Sequence, residues 1–298
     1  MMKGKETSYL WHGIAIAVVI IWAMTFAITK TLLNLGLTPQ QIMCIRFLIA
    51  WLCILPFAHG RLFANNLKDE LMLVALGISG GSLYFWCENT ALALSTTSNV
   101  ALIVEVCPLL TALLVCFLFH HERFTRHLAI GSVTALIGVM LIVMGGQVLH
   151  LNPLGDLLAF GAALCWAIYG VIIKPLSAHY GNRLVTRKVF AYGFITMILL
   201  MLLTGDLTKD SLASCMNMVF HSPIAMACLL GLSIVASLLC FLFWNIALQK
   251  LGTVRTTNYI YLQPVITLAI SVFILHEPIT VWSLIGTVLI LSGLRIAS

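Results

Sequence analysis

The sequence predicts an all-α polytopic membrane protein, with ten transmembrane helices arranged as two inverted five-helix repeats and both termini in the cytoplasm. Three observations carry that expectation. The 298 residues are 61% hydrophobic and 9% charged, with a mean hydropathy of +1.06, whereas about a quarter of a soluble domain is charged. Apolar runs of the ~20 residues needed to cross a hydrocarbon core recur along the whole chain. Finally, ILHEPITVWSLIGTVLILSG at 274–293 echoes FHHERFTRHLAIGSVTALIG at 119–138: His121, Glu122, Gly131 and Gly138 fall on His276, Glu277, Gly286 and Gly293, 155 residues later.

The expected spans, in order, are 10–30, 41–58, 71–93, 99–119, 128–146, 155–173, 189–204, 223–247, 256–275 and 281–297. Ala15 and Ala17 in the first form a loose signal-cleavage pattern. The apolar stretch runs on well past them, so this span is expected to be retained. The second span carries Arg46, and the third carries Glu88 after a small-residue run of Gly77, Ser79, Gly80, Gly81 and Ser82 that suits close helix packing. The fourth and ninth carry Pro108 and Pro264. The connections are too short for a soluble domain. The 205–222 segment, with Asp206, Lys209 and Asp210, is the one outer connection long enough to lie on the membrane or act as a lid. Nine cysteines occur without a C-x-x-C pair, as packing residues do.

Basic residues concentrate on the cytoplasmic side of membrane proteins. Lys3, Lys5, Arg61, Lys68, Arg123, Arg126, Lys174, Arg183, Arg187, Lys188, Lys250, Arg255 and Arg295 all fall on one side of the ten spans, 13 of the 16 basic residues. Both termini are therefore expected in the cytoplasm. Topology accounts for the net charge of +6, leaving nothing for a nucleic-acid partner to explain.

The repeat extends beyond its last twenty residues. IWAMTFAITK at 21–30 aligns with CWAIYGVIIK at 165–174, so Trp22 matches Trp166. Asn89, Ala91, Leu92 and Pro108 match Asn245, Ala247, Leu248 and Pro264, 156 residues on. The repeats divide the chain into 1–150 and 151–298. With five helices per copy, the second copy enters from the opposite side, an organisation typical of secondary transporters. A scaffold built by duplication is the plainer alternative.

Trp22 and Lys30 in the first span, Arg46-Phe47 with Ala50 in the second, ENTALAL at 88–94 and the duplicated His-Glu…Gly…Gly ending together resemble the drug/metabolite transporter superfamily. The chain is most similar to its ten-helix EamA-type members, over nearly its whole length. The resemblance implies a carrier of small metabolites, frequently an exporter of amino acids or related compounds. Where the family ending is Gly-Glu, this chain has His-Glu.

A symmetric pair of mid-span prolines points to the substrate site, because each removes a backbone donor and helices so interrupted line transporter cavities. A plain kink is the alternative at each. Beside Pro108 and Pro264, the candidate lining residues are Trp22, Tyr84, Trp166, Tyr259, Tyr261 and Gln263. Arg46, Glu88 and Glu105 are the charges inside the spans, each about six residues, or ~9 Å, from the outer end. Three roles fit them: a structural Arg46–Glu88 ion pair, binding of a zwitterionic substrate, or proton coupling through Glu88 or Glu105, since two adjacent carboxylates resist ionising together. The second copy has Trp244 and Tyr261 where Glu88 and Glu105 stand, so this set breaks the repeat symmetry.

His121-Glu122 is followed by Thr125 and His276-Glu277 by Thr280, so neither completes H-E-x-x-H, and no metal is expected. No G-x-x-x-x-G-K-[ST] occurs, so the sequence implies no ATPase subunit. No cofactor and no enzymatic activity are expected. The expected partners are a small-molecule substrate, the lipid bilayer and, in one reading, protons. The expectation is a multi-pass secondary transporter of a small polar metabolite in a bacterial cytoplasmic (inner) membrane, with export favoured. A non-transporting receptor or scaffold, and an importer of the same fold, are the alternatives.

Overall fold

The computed structural model describes residues 2–58, 62–95, 97–119, 125–144, 152–275 and 280–297, and every regular element among them is helical. Local chemistry sets several of the ends. After α1 (Met2–Asn34) the chain reverses at Gly36, whose φ of 100° a side chain would resist. Thr38 then caps α2 (Pro39–Ile54) in a reciprocal box with Gln41, with proline in the first turn, where its missing N–H costs nothing. Asn66 caps α3 (Leu67–Gly77), which passes through a π-helical stretch, Ile78–Ser82, into α4 (Leu83–Leu94).

There follow α5 (Thr97–Val104), α6 (Cys107–Phe119), α7 (Arg126–Met144) and α8 (Pro153–Tyr180). Next comes α9 (Asn182–Thr204), ended by Gly205 in the left-handed conformation. After α10 (Lys209–His221) and α11 (Pro223–Leu230), a second π-helical stretch, Gly231–Leu239, leads into α12 (Cys240–Leu251). α13 (Thr253–Asn258), a 3-10 turn over Tyr259–Leu262, α14 (Gln263–Leu275) and α15 (Val281–Ala297) complete the chain.

Six helical stretches among the described residues are long and apolar enough to cross a membrane: Pro39–Phe57, Leu67–Ala91, Arg126–Met144, Pro153–Tyr180, Asn182–Thr204 and Pro223–Leu251. Tyr9–Thr25, Leu102–Cys116 and Val281–Ala297 are shorter apolar helices. Leu203, Phe57 and Val288 stand 85%, 67% and 62% exposed, which is tolerable where the surrounding solvent is hydrocarbon. This is a multi-pass membrane protein. Two expected spans, 99–119 and 256–275, are not continuous: the first divides into α5 and α6, the second into α13, the 3-10 turn and α14.

The chain forms two compact units. Unit 1 comprises Met1–Ala23, Cys87–Val171 and Ala247–Ser298; unit 2 comprises Met24–Trp86 and Ile172–Ile246. Each draws segments from both halves of the sequence.

Within unit 1, the last helices of the two repeats, α7 and α15, pack at backbone contact. A Cβ on Gly131 would lie 2.5 Å from the Gly293 carbonyl oxygen, and one on Gly293 would lie 2.5 Å from that of Gly131. Gly138 and Gly286 are related in the same way at 2.6 Å. Gly131 is the sequence equivalent of Gly286, and Gly138 of Gly293. Each glycine therefore meets the equivalent of the other, and the two helices run antiparallel. That reciprocity is the signature of a two-fold axis crossing the helix pair, here a local one within a single chain.

Unit 2 is organised around Phe47, fully buried where Gly81 and Gly193 make room for its ring. Phe85, Phe190 and Phe241 surround it with ring centroids 5.5–6.5 Å away. Arg187 and Lys188, expected at a loop edge, are instead buried in α9. Arg187 donates to the Ala58 carbonyl at 2.6 Å, and Lys188 pairs with Glu70, to which Tyr192 also donates. The 205–222 segment contains α10, tied to α2 by the Gln41 amide donating to the Ser211 hydroxyl at 2.9 Å. Leu212, Met216 and Phe220 lie four residues apart on the exposed face of α10, and Cys215 is buried.

Candidate functional site

Both sequence-matched prolines sit in the first turn of a new helix, just after a break, where proline is compatible with the helix. At the first break, α5 ends at Val104, the Val106 N–H donates to the Ile103 carbonyl at 3.1 Å, and α6 starts at Cys107. At the second, the Gln263 N–H donates to Ile260, taking up the carbonyl that Pro264 cannot reach. The residue set in each break is the interesting one: Glu105 in the first and Tyr261 in the second, 156 residues apart and equivalent in the repeat.

These two residues come together in unit 1. Glu105 is 6% exposed and Tyr261 0%. The Tyr261 ring packs with Ala135, Val139 and Ile290, and its hydroxyl lies beside Ser132 of α7 and within electrostatic range of Glu105. Glu105 Oε2, Tyr261 Oη and Ser132 Oγ are all buried without a hydrogen bond of standard geometry. The Tyr261 hydroxyl also lies close to the Leu109 backbone, so the Glu105 carboxyl oxygen is the polar atom whose burial calls most for a partner. Chemically, the group can pass a proton or accept a donor from a polar ligand.

A second matched pair is also in contact in unit 1. The rings of Trp22 and Trp166 meet edge to face with centroids 5.5 Å apart, and Trp166 stacks on Tyr169 at 5.2 Å. Tyr259, expected beside Tyr261, serves a different place: its hydroxyl is 2.6 Å from His12 Nδ1. Pro108 is buried, Gln263 and Pro264 are half-buried, and Glu88 is 8% exposed in unit 1.

Arg46 belongs to unit 2. It is 5% exposed, its Nε donates to the Ser237 hydroxyl at 3.2 Å, and its guanidinium stands 5.6 Å over the Phe85 ring. Tyr84 packs edge to face on that ring at 4.7 Å. Ser237 lies in the π-helical stretch of the second half, a feature often found at functional positions. No group of three or more metal-ligating side chains occurs among the described residues. The duplicated His121-Glu122 and His276-Glu277 lie outside the described residues.

Sequence reasoning passed over Ser132, Ser237 and His12. A lone serine in an apolar span, or a histidine near its end, gives no signal of its own; what marks each is a partner more than 100 residues away.

The pattern of the EamA-like transporter family matches residues 9–144 and again 153–298. The uncharacterized transporter YyaM of Bacillus subtilis (strain 168) is 29% identical over 256 residues, 83% of this chain and 79% of its own length. The probable amino-acid metabolite efflux pump of Salmonella typhimurium is 27% identical over 290 residues, 95% of this chain and 93% of the pump. A solved crystal structure with 19% identity superposes with a TM-score of 0.76, covering 98% of this chain and 96% of the other, a likeness of fold.

Proposed function

Because the chain belongs to the EamA-like transporter family, we propose that it is a secondary carrier exporting a small polar metabolite of the amino-acid class across a bacterial cytoplasmic membrane by alternating access. In this reading ten helices form two inverted five-helix repeats with cytoplasmic termini. The observation that carries it is the reciprocal, antiparallel packing of Gly131 on Gly293 and Gly138 on Gly286. Two oppositely inserted copies of one fold can exchange conformations, and that exchange opens a carrier first to one side and then to the other. The 27% identity to a protein named a probable amino-acid metabolite efflux pump supports the substrate class and the direction.

Arg46, with its guanidinium over the Phe85 ring and its Nε donating to Ser237, is the candidate ligand for a substrate carboxylate. In unit 1, Glu88 and Glu105 are the candidates for a coupled proton. Glu105 suits the proton better, because one carboxyl oxygen is buried without a partner and a mobile proton completes it.

The test is untargeted mass spectrometry of cells and medium, comparing the native chain with Glu105→Gln and Arg46→Gln, followed by flux of the metabolite so found in reconstituted vesicles. Accumulation of one polar class in the medium, blunted in both variants, is the expected result. Redistribution into the cells would make the protein an importer. Ligand binding without flux would make it a receptor.

A further inference from the structure

Between α9 and α11 in unit 2, α10 divides its surface into three flanks. At 3.6 residues per turn, Ser211, Cys215 and Met218 share the first. This flank is turned inward: Cys215 is buried, the Gln41 amide donates to the Ser211 hydroxyl at 2.9 Å, and Met218 Cε lies 3.7 Å from where a Cβ on Gly36 would stand. Asp210, Ser214, Asn217 and His221 share the second, and all four are exposed. Leu212, Met216 and Phe220 form the third, 52%, 51% and 69% exposed. An apolar flank this open, on a helix with a separate polar flank, needs something other than water to cover it.

We propose that the apolar flank of α10 is an interfacial anchor: it sinks into the boundary between lipid headgroups and acyl chains while the polar flank faces water. Three observations commit it to lipid. The helix meets the first turn of α2 at Ser211 and the turn before α2 at Met218, points seven residues or ~10 Å apart along its axis. It therefore lies across the start of α2 and does not project from it. The flank is also continuous with other apolar surface, since Leu202 and Leu203 at the end of α9 are 56% and 85% exposed and Ile224 at the start of α11 is 62% exposed. Those residues belong to stretches long and apolar enough to cross the membrane, so hydrocarbon already reaches both ends of α10. Finally, Lys209 stands on the apolar side of the helix and is exposed, placed to lay its stem along that side and lift its charge to the headgroups. A lid would turn its apolar flank onto the carrier, whereas the flank that meets α2 here is the one with Ser211. This inference depends neither on the transported substrate nor on the direction of transport.

Photocrosslinking of the full-length chain in nanodiscs of phosphatidylethanolamine and phosphatidylglycerol tests it, with p-benzoylphenylalanine replacing Met216, Phe220 or Asn217 one at a time. Mass spectrometry is expected to find intact phospholipid attached at 216 and at 220 about tenfold more than at 217, because an interfacial face sinks ~5–10 Å while the polar flank stays in water. All three side chains are exposed, so the substitutions leave the packing of unit 2 undisturbed. Leu212 carries the same expectation should either apolar variant fail to fold. Equal lipid attachment at 216 and 217, or none at 216 and 220, overturns the proposal. Attachment from 216 to another residue of the same chain would make α10 a lid, and a covalent dimer would give the flank to a second copy; either result also overturns it.

Discussion

Glu105 and Tyr261 occupy equivalent positions in the two halves of the chain, 156 residues apart, and in the folded protein they lie within electrostatic range of one another, each set in a break between two helices. One half contributes a carboxyl, the other a phenol, and neither the Glu105 Oε2 nor the Tyr261 hydroxyl has a hydrogen bond of standard geometry. A repeated scaffold thus carries two different polar side chains at equivalent positions.

Tyr261→Phe follows directly from that arrangement. Because the hydroxyl makes no standard hydrogen bond, its removal should change stability by less than ~1 kcal/mol. Flux should fall about tenfold or more if the hydroxyl relays a proton. Thermal unfolding in detergent and vesicle flux on the same preparation separate the two effects; equal loss of both would make Tyr261 a packing residue.

Gly286→Ala should destabilise the protein by about 1–3 kcal/mol, since the new methyl would lie 2.6 Å from the Gly138 carbonyl oxygen and neither backbone can retreat alone. Gly13→Ala is the control: nothing lies within 4 Å of its added carbon, and an alanine in a helix gains about 0.5–1 kcal/mol over glycine. Midpoints of thermal unfolding moving in opposite directions are the expected result.

Arg46→Lys keeps the charge but loses the guanidinium contact with Phe85 and the Nε bond to Ser237. The loss of the cation–π contact alone is worth about 0.5–2 kcal/mol at a desolvated site. If Arg46 grips a substrate carboxylate, apparent substrate affinity in flux assays should also fall, because lysine cannot offer the planar two-donor fork, whereas an arginine used only for its charge would tolerate lysine.

Lys188→Met should cost about 1–3 kcal/mol, because it leaves the mostly buried Glu70 carboxylate, 15% exposed, without its cation and held only by the Tyr192 hydroxyl and the Ala64 N–H. Adding Glu70→Leu should restore most of that loss. Recovery in the double variant, followed by unfolding midpoints, distinguishes a buried ion pair from a surface one; an unchanged single variant would show that water reaches the pair.

The sequence by itself determined that the chain is a membrane protein and that it is built from two copies of one unit, and its paired prolines marked the two spans that the fold divides. Each follows from an average or a local rule: hydropathy over ~20 residues, identity at a fixed offset, and the missing donor of Pro108 and Pro264. It also marked Trp22 with Trp166, and Gly131, Gly138, Gly286 and Gly293, as equivalent positions. Which of them touch was decided only by the tertiary structure. In lipid every face of a helix can be apolar, so no amphipathic stripe reports which face turns inward. Tyr259 and Tyr261 read alike in the sequence, yet two residues of a tight 3-10 turn send one hydroxyl to His12 and the other to Ser132 and Glu105. Arg187 and Lys188 read as loop cations, and only the carbonyl of Ala58 and the carboxylate of Glu70, more than 100 residues earlier, make their burial affordable.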